Sequence, residues 1–339
     1  MGEEEGGPVK ALVTGGGGFL GKNLTKHLLE RGDEVRIFAR SKYPEVEAMG
    51  AEAMQGDVTD RAAVDAAVAG VDIVFHTASR IGYWGDYAEY ESINVGGTTN
   101  IVEACRAAGV ERLVYTSTPS VVIGADGVDA GSDETVAYPD AYLSSYGPTK
   151  AQAEKLALAA SDASLRVAAL RPHFIFGPGD PHIAPRLVEN AKKGTIAQVG
   201  DGSNRVDVAY IDNVVSAHVK LGDALADPNT PCGGQAYFLG DAEPVKLWDF
   251  VGRVLEGMKA PPVKKNVSFK MAWRIGATLE FFYRTFGVEK EPPLTRMAAV
   301  MLGTSHYFSH AKAARDFGYA PLVTTDEGLE RLFAADAPR

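Results

Sequence analysis

The sequence predicts an α/β chain: a doubly wound parallel sheet with a smaller, discontinuous C-terminal substrate lobe. Three observations predict it. Short β-branched runs alternate with Ala/Leu-rich runs of helical length through the first half, as successive βαβ units require. Each short run is apolar on both faces, as strands covered by helices on two sides must be. A glycine-rich turn joins the first strand to the first helix, where open α/β sheets bind ligands.

The strands are read at 11–14, 34–38, 72–75, 112–115 and 165–170, with a short third strand before Gly56, and the covering helices near 18–31, 60–69, 87–109 and 142–161. After Arg171 the spacing turns irregular and rich in Pro and Gly, at Gly177-Pro-Gly-Asp-Pro181, Asp227-Pro228 and Pro261-Pro262, which marks departures from the sheet. The division expected is a dinucleotide-binding domain over 8–176 with a returning segment near 207–240, and a substrate lobe built from 177–206 and 241–335. No repeat or low-complexity tract beyond the N-terminal leader stands out.

Composition narrows the class. The 339 residues are 45% hydrophobic and 23% charged, ordinary for a folded globular chain and unlike a disordered, collagenous or coiled-coil one. A net charge of -10 supplies no basic footprint for a phosphate backbone, so nucleic acid is not an expected partner. The two cysteines, Cys105 and Cys232, fit neither a disulfide framework nor a metal-ligand spacing, so no metal site is expected. The stretch Met1-Gly-Glu-Glu-Glu-Gly-Gly-Pro8 is acidic where a secretory signal is basic and then apolar, and it reads as a frayed leader of a cytoplasmic protein. No run approaches the roughly 18 apolar residues of a membrane span, which leaves peripheral contact open.

Strand one runs into Thr14-Gly-Gly-Gly-Gly-Phe-Leu-Gly21, and an amphipathic helix continues from Asn23. In this Gly-x-x-Gly-x-x-Gly pattern Gly15 makes the tight turn, Gly18 lets backbone approach a pyrophosphate and Gly21 lets helix and strand pack closely; Phe19 and Leu20 lie between. Strand two ends Phe38-Ala-Arg40-Ser-Lys42. An acid there would accept from a ribose 2′-hydroxyl; its replacement by cations favours NADP(H) over NAD(H) through Arg40, unless Arg40 only stacks on adenine. Asp57, with Val58 beside it, either accepts from the adenine amino group or shapes the turn before Thr59-Asp60. Thr77 and Ala78 follow strand four beside the cofactor, and His76 reads as a neutral packed histidine. Arg205 either meets the cofactor or pairs with Asp207 or Asp201.

The chemistry is written at Tyr146-Gly-Pro-Thr-Lys150. An i to i+4 spacing puts phenol and ammonium on one helix face. A phenol titrates near 10, and a neighbouring ammonium together with an oxidised nicotinamide favours the phenolate, so Tyr146 can exchange a proton with a carbonyl or carbinol oxygen. Strand five ends Tyr115-Thr-Ser-Thr118-Pro-Ser120, which offers Thr118 as second donor to the substrate oxygen and Ser120 as a substrate contact.

These residues, with Asn94-Val-x-Gly97-Thr98 and Arg171-Pro172, resemble the extended short-chain dehydrogenase/reductase superfamily over nearly the whole chain, which implies a Rossmann fold. Tyr115 to Val121, Tyr210-Ile-Asp-Asn213 and Ser268-Phe-Lys-x-Ala272 with Arg274-Ile-Gly276 look like its 3β-hydroxysteroid dehydrogenase branch. Phe75-His76, Gly82-x-Trp84-Gly85, Gly200-Asp-Gly-Ser-Asn204 and Pro293-Leu-Thr-Arg296 are similar to bacterial 2-alkyl-3-oxoalkanoate reductases. The resemblance implies Tyr146 as proton donor or acceptor, Lys150 on the nicotinamide ribose, Pro172 beside the cofactor, a homodimer, and Thr118 in the place of the usual serine. Threonine keeps the hydroxyl and stiffens the rotamer. Asn94 is either the superfamily's helix asparagine or a polar residue satisfying local backbone.

As a helix, residues 270–286 put Met271, Ile275, Leu279, Phe282 and Phe286 on one face and Lys270, Arg274, Glu280 and Arg284 on another, with Trp273 and Phe281 among the charges. That face either packs on the core or meets a lipophilic substrate's entrance or a membrane. Tyr83 and Trp84 either line the same pocket or anchor their loop. The function expected is NAD(P)-dependent interconversion of a secondary alcohol and a ketone on a lipophilic skeleton, a 2-alkyl-3-oxoalkanoate or a 3β-hydroxysteroid or sterol-4-carboxylate. A sugar-nucleotide epimerase is the competing class. A dehydratase would want carboxylates where Pro119-Ser120 stand, and a cofactor-sensing binding protein would have no use for Tyr146 and Lys150.

Overall fold

The computed structural model describes residues 8–335, so all but the last residue of the leader lies outside it. Seven parallel strands, β1 Lys10–Thr14, β2 Glu34–Ala39, β3 Glu52–Gln55, β4 Ile73–His76, β5 Arg112–Thr116, β6 Arg166–Pro172 and β7 Ala236–Leu239, form one sheet. Their order is β7-β6-β5-β4-β1-β2-β3, so the direction of winding reverses between β1 and β4, the place where such sheets open a crevice. Alternating side chains feed two apolar layers. Ala11 and Val13 of β1 pack with Leu24 and Leu28, and Leu12 packs with Val64, Ile101 and Ala157 on the opposite face.

The helices include α1 Phe19–Arg31, α2 Arg61–Val68, α3 Gly97–Ala108, α4 Tyr146–Ala159, α5 Ile183–Lys192, α6 Ile211–Ala224, α7 Leu247–Gly257, α8 Phe269–Thr285 and α9 Arg296–Gly303, followed by α10 Ala311–Phe317 and α11 Thr325–Ala335. Two differ from the sequence reading. The helix expected over 87–109 reaches α3 only through an α-turn, Tyr87–Tyr90, and a π-helical turn, Glu91–Gly96. Helix α4 starts at Tyr146 rather than 142, because Tyr142 is held outside it, its hydroxyl donating to the carbonyl of Val121 at 2.7 Å.

Residues 208–239 return to the sheet, with a short strand Val208–Tyr210 beside Phe174–Phe176 and then α6 and β7. The face of α8 reverses the core-packing expectation. Its buried line is Ala272, Gly276 and Glu280, whereas Met271, Ile275, Phe282 and Phe286 face outward. The cause is close approach: a Cβ on Gly276 would lie 2.7 Å from the backbone nitrogen of Arg296. Glu280 fixes the contact, accepting from the Arg296 backbone N–H at 2.6 Å and its Nε at 2.7 Å. Cys105 and Cys232 are buried free thiols. No helix among the described residues is long and apolar enough to cross a membrane.

Candidate active site

At the carboxyl edge of the sheet lies a cleft of about 820 Å³. One end is built by the β1–α1 loop. Gly15 has a left-handed backbone, φ 67°, and a Cβ on Gly21 would stand 2.3 Å from the carbonyl oxygen of Gly15, so only glycine permits this helix-to-strand approach. Helix α1 is N-capped by Gly18, with no side-chain cap and no acid in its first turn. Its free N–H groups and positive dipole end therefore suit a pyrophosphate. Gly15, Gly18, Phe19, Leu20 and Gly21 all line the cleft.

Arg40, Asp57 and Val58 line the far part of the same cleft. Arg40 is exposed and its guanidinium makes no hydrogen bond or ion pair among the described residues. Asp57 shapes its turn, accepting from the N–H and hydroxyl of Thr59 at 2.9 and 2.8 Å; the helix cap is Asp60. Tyr43 lies over the loop, where a Cβ on Gly17 would meet its ring at 2.1 Å. Sequence reading passed over Tyr43, which sits in no recognisable pattern.

After β4 the chain is pinned to β1. The Thr77 hydroxyl donates to the Thr14 carbonyl at 2.7 Å, and the Ala78 N–H donates to the Thr14 hydroxyl. His76 is held between Thr14 and Thr98 hydroxyls at 2.7 and 3.2 Å, and burial pulls its pKa down to about 3, so it is neutral and structural. Asn94, in the π-helical turn, accepts from the backbone N–H of Arg80 and donates to the Arg80 carbonyl and the Thr149 hydroxyl. It thus ties the post-β4 loop to α4.

Tyr146 opens α4 and Lys150 follows one turn later, both facing the cleft with Thr118, Ser120, Tyr83 and Pro172. Thr118 caps a short turn, its hydroxyl accepting from the Ser120 N–H at 3.2 Å. Lys150 is 2% exposed. Its ammonium donates to the Thr116 carbonyl at 2.7 Å and lies 4.3 Å from the centre of the Tyr115 ring. Burial pulls its pKa down to about 7, opposed by Glu154. Burial pushes the Tyr146 phenol above its ordinary value and the Thr118 hydroxyl pulls it partly back. Burial also pushes Tyr83 up to about 12.

Beneath this group lies a buried ion pair that sequence reading did not assemble. Glu154 accepts from Arg171 Nε and Nη2 at 2.9 and 2.6 Å and from the Tyr138 hydroxyl at 2.6 Å. The one available signal was position: Glu154 stands one turn beyond Lys150 on the same face. Arg186 and Glu291 pair at 2.8 Å and both line the cleft. Two expected residues are elsewhere. Trp84 does not line the cleft; it braces the end of α8, donating to the Val288 carbonyl at 3.2 Å, with its ring edge-on to Tyr283 and under Arg284. Arg205 meets neither cofactor site nor acid, because its guanidinium donates to the Pro244 carbonyl and lies over Tyr307.

Residues 12–270 match the 3-beta hydroxysteroid dehydrogenase/isomerase family. The chain belongs to that family. Within it, the chain is 50% identical over 333 residues to a 2-alkyl-3-oxoalkanoate reductase of Stenotrophomonas maltophilia, covering 97% of this chain and 100% of that one. It is 34% identical to the mouse sterol-4-alpha-carboxylate 3-dehydrogenase, decarboxylating, covering 95% and 89%. Among solved structures, MoeE5 in complex with UDP-glucuronic acid and NAD superposes with a TM-score of 0.74 at 27% identity, covering 96% and 98%. A member of the 3-beta hydroxysteroid dehydrogenase/isomerase family with this sheet is a nicotinamide-dependent oxidoreductase of the extended short-chain type, and its chemistry is exchange between a secondary alcohol and a ketone.

Proposed function

We propose that the chain reduces 2-alkyl-3-oxoalkanoates to 2-alkyl-3-hydroxyalkanoates, with NADP(H) preferred over NAD(H). The observation that carries this reading is the pair of hydroxyls, Tyr146 and Thr118, at one wall of the cleft, in a chain half identical to a reductase of that name. The cleft fits a dinucleotide on two counts: a loop that any Cβ on Gly21 would block, and an uncapped helix N-terminus. Gly15, Gly18, Phe19, Leu20 and Gly21 would hold the pyrophosphate, Arg40 a 2′-phosphate, Asp57 and Val58 the adenine, and Thr77, Ala78 and Pro172 the nicotinamide half. Bound there, the cofactor supplies the hydride.

The protein's own part is to orient the ketone and move one proton. Thr118 and Tyr146 hydroxyls donate to the ketone oxygen, and the phenol proton passes to it as the carbinol forms. Burial keeps that phenol protonated at neutral pH, as a donor in the reductive direction must be. Lys150 would hold the ribose hydroxyls, while Tyr83 and Ser120 would bound the substrate side.

The reading includes the division into 8–176 with 207–240, and 177–206 with 241–335. It also has the chain act in the cytoplasm as a homodimer through α3 and α4, which pack side by side on the outer layer, with peripheral contact at a membrane. The similarity to the mouse sterol enzyme favours one second reading, oxidation of a 3β-hydroxysterol. Absorbance of NADPH and of NADH is followed with a 2-alkyl-3-oxoalkanoate, a 3β-hydroxysteroid and a UDP-hexose. Turnover of the oxoacid with NADPH preferred is expected. Turnover of the steroid alone would move the protein to the sterol reading, and sugar isomerisation without net cofactor oxidation would overturn both.

A further inference from the structure

Four arginine and lysine side chains line the cleft: Arg40, Arg80, Lys150 and Arg186. Three of them have a place already. Arg40 stands at the dinucleotide end, Arg80 pairs with Glu89 at 2.9 Å with its guanidinium over the Tyr90 ring, and Lys150 donates to the Thr116 carbonyl. Arg186, on α5, has none. Its one hydrogen bond among the described residues runs from Nη2 to Glu291 at 2.8 Å, which leaves the rest of the guanidinium fork without a protein partner. The two side chains of this pair are 64% and 32% exposed. An ion pair that open to water contributes little, so Glu291 holds Arg186 loosely.

Position puts this arginine on the substrate side. Helix α5 follows β6, and β5, β4 and β1 all lie between β6 and β2, the strand that ends at Arg40. Once burial and the Ser120 hydroxyl are counted, the charges that act on the Tyr83 phenol are those of Glu291 and Arg186, with opposite sign. Tyr146 in turn is influenced by Tyr83, after burial and the Thr118 hydroxyl. The ion pair therefore neighbours the phenol beside the proton donor. In a 2-alkyl-3-oxoalkanoate a single carbon separates the ketone carbon from the carboxylate, so a ketone oxygen held by Tyr146 and Thr118 brings a full negative charge to this wall. A chain of net charge -10 repels that charge unless a specific cation meets it, and an open guanidinium fork matches a carboxylate in shape as well as in sign.

We infer that Arg186 binds the substrate carboxylate and that Glu291 occupies the arginine until the substrate displaces it, so that this pair sets the preference for an acid over a neutral molecule of the same skeleton. The inference rests on the oxoacid reading and deepens it. Initial rates are measured from the stable alcohol side, with a short-chain 2-alkyl-3-hydroxyalkanoate and its methyl ester oxidised by NADP+ to the ketone, the hydride passing to the cofactor and the hydroxyl proton to Tyr146. The wild type should show the lower KM for the acid. Arg186→Gln should raise the acid KM about ten- to a hundredfold through the loss of charge-assisted hydrogen bonds, with kcat and the ester KM nearly unchanged. Arg186→Lys, which keeps the charge without the fork, should fall between. Glu291→Gln should lower the acid KM about two- to fivefold and leave the ester KM where it was.

Both side chains reach solvent, so neither substitution threatens the fold. Equal KM values for acid and ester in the wild type, or a rise shared by acid and ester in Arg186→Gln, overturns the inference and leaves the oxoacid reading standing. An acid KM unchanged or raised in Glu291→Gln overturns the exchange at Glu291. Turnover of a 3β-hydroxysteroid with none of the hydroxyacid defeats the oxoacid reading and the inference with it.

Discussion

Replacing Glu154 by Gln takes one negative charge out of a place closed to water while leaving the volume unchanged. The side chains of Glu154 and Arg171 are 0% and 4% exposed, and three hydrogen bonds of 2.6 to 2.9 Å converge on the carboxylate. After substitution the guanidinium keeps its charge and loses its counter-charge, which for a buried pair costs about 3–5 kcal/mol. No cavity is created, so the loss is electrostatic. For a chain of this size it corresponds to a fall in Tm of about 4–7 °C, read by circular dichroism at neutral pH. Glu154→Leu combined with Arg171→Met removes both charges and should recover most of the loss. Glu154 also holds the Lys150 pKa up against burial. In Glu154→Gln the lysine therefore loses its proton at lower pH than in the wild type. A single variant that melts with the wild type, or a double variant no better than the single, would refute this reasoning.

Tyr146→Phe should lower kcat by about 10²–10⁴ with cofactor affinity unchanged, as measured by fluorescence titration; retained turnover would remove Tyr146 as proton donor. Arg40→Ala should weaken NADPH binding about tenfold or more and leave NADH binding nearly as it was, and equal losses for both would remove Arg40 from the 2′-phosphate. Lys150 titrates near 7 when folded against 10.5 ordinarily, so burying its charge costs stability fully below pH 7, a cost relieved as pH rises from 7 to 10.5. Lys150→Met should accordingly be more stable than the wild type at pH 7, by about 3 kcal/mol once its lost hydrogen bond is counted. That gap should close toward pH 10, and a gap independent of pH would show that folding does not lower the lysine pKa.

Strands, the glycine loop and the Tyr146/Lys150 pair were legible because each is local: a short run apolar on both faces, a fixed glycine spacing, an i to i+4 pair. Proximity created by folding was not. Arg186 and Glu291 stand 105 positions apart, and nothing in either segment names the other. Arg171 was in view as part of Arg171-Pro172, yet only the run of β6 past α4 brings it to Glu154. On α8 the strongest apolar arc suggested a core face, and the true packing line was the weaker one, Ala272, Gly276 and Glu280, because small residues allow a closer backbone. Trp84 illustrates the same limit, since its partner carbonyl is 204 residues away. At Tyr146 the spacing to Lys150 was legible, whereas the hydrogen bond from the ammonium to the Thr116 carbonyl was not.

The acid-free start of α1 has a kinetic side. A dinucleotide is an anion, and a chain of net charge -10 repels it at long range; attraction begins only within the short reach of a helix terminus. Capture is therefore opposed during diffusion and rewarded on arrival. Added salt shortens the range of the repulsion first, so moderate ionic strength should quicken cofactor association, the reverse of what a basic phosphate-binding groove shows.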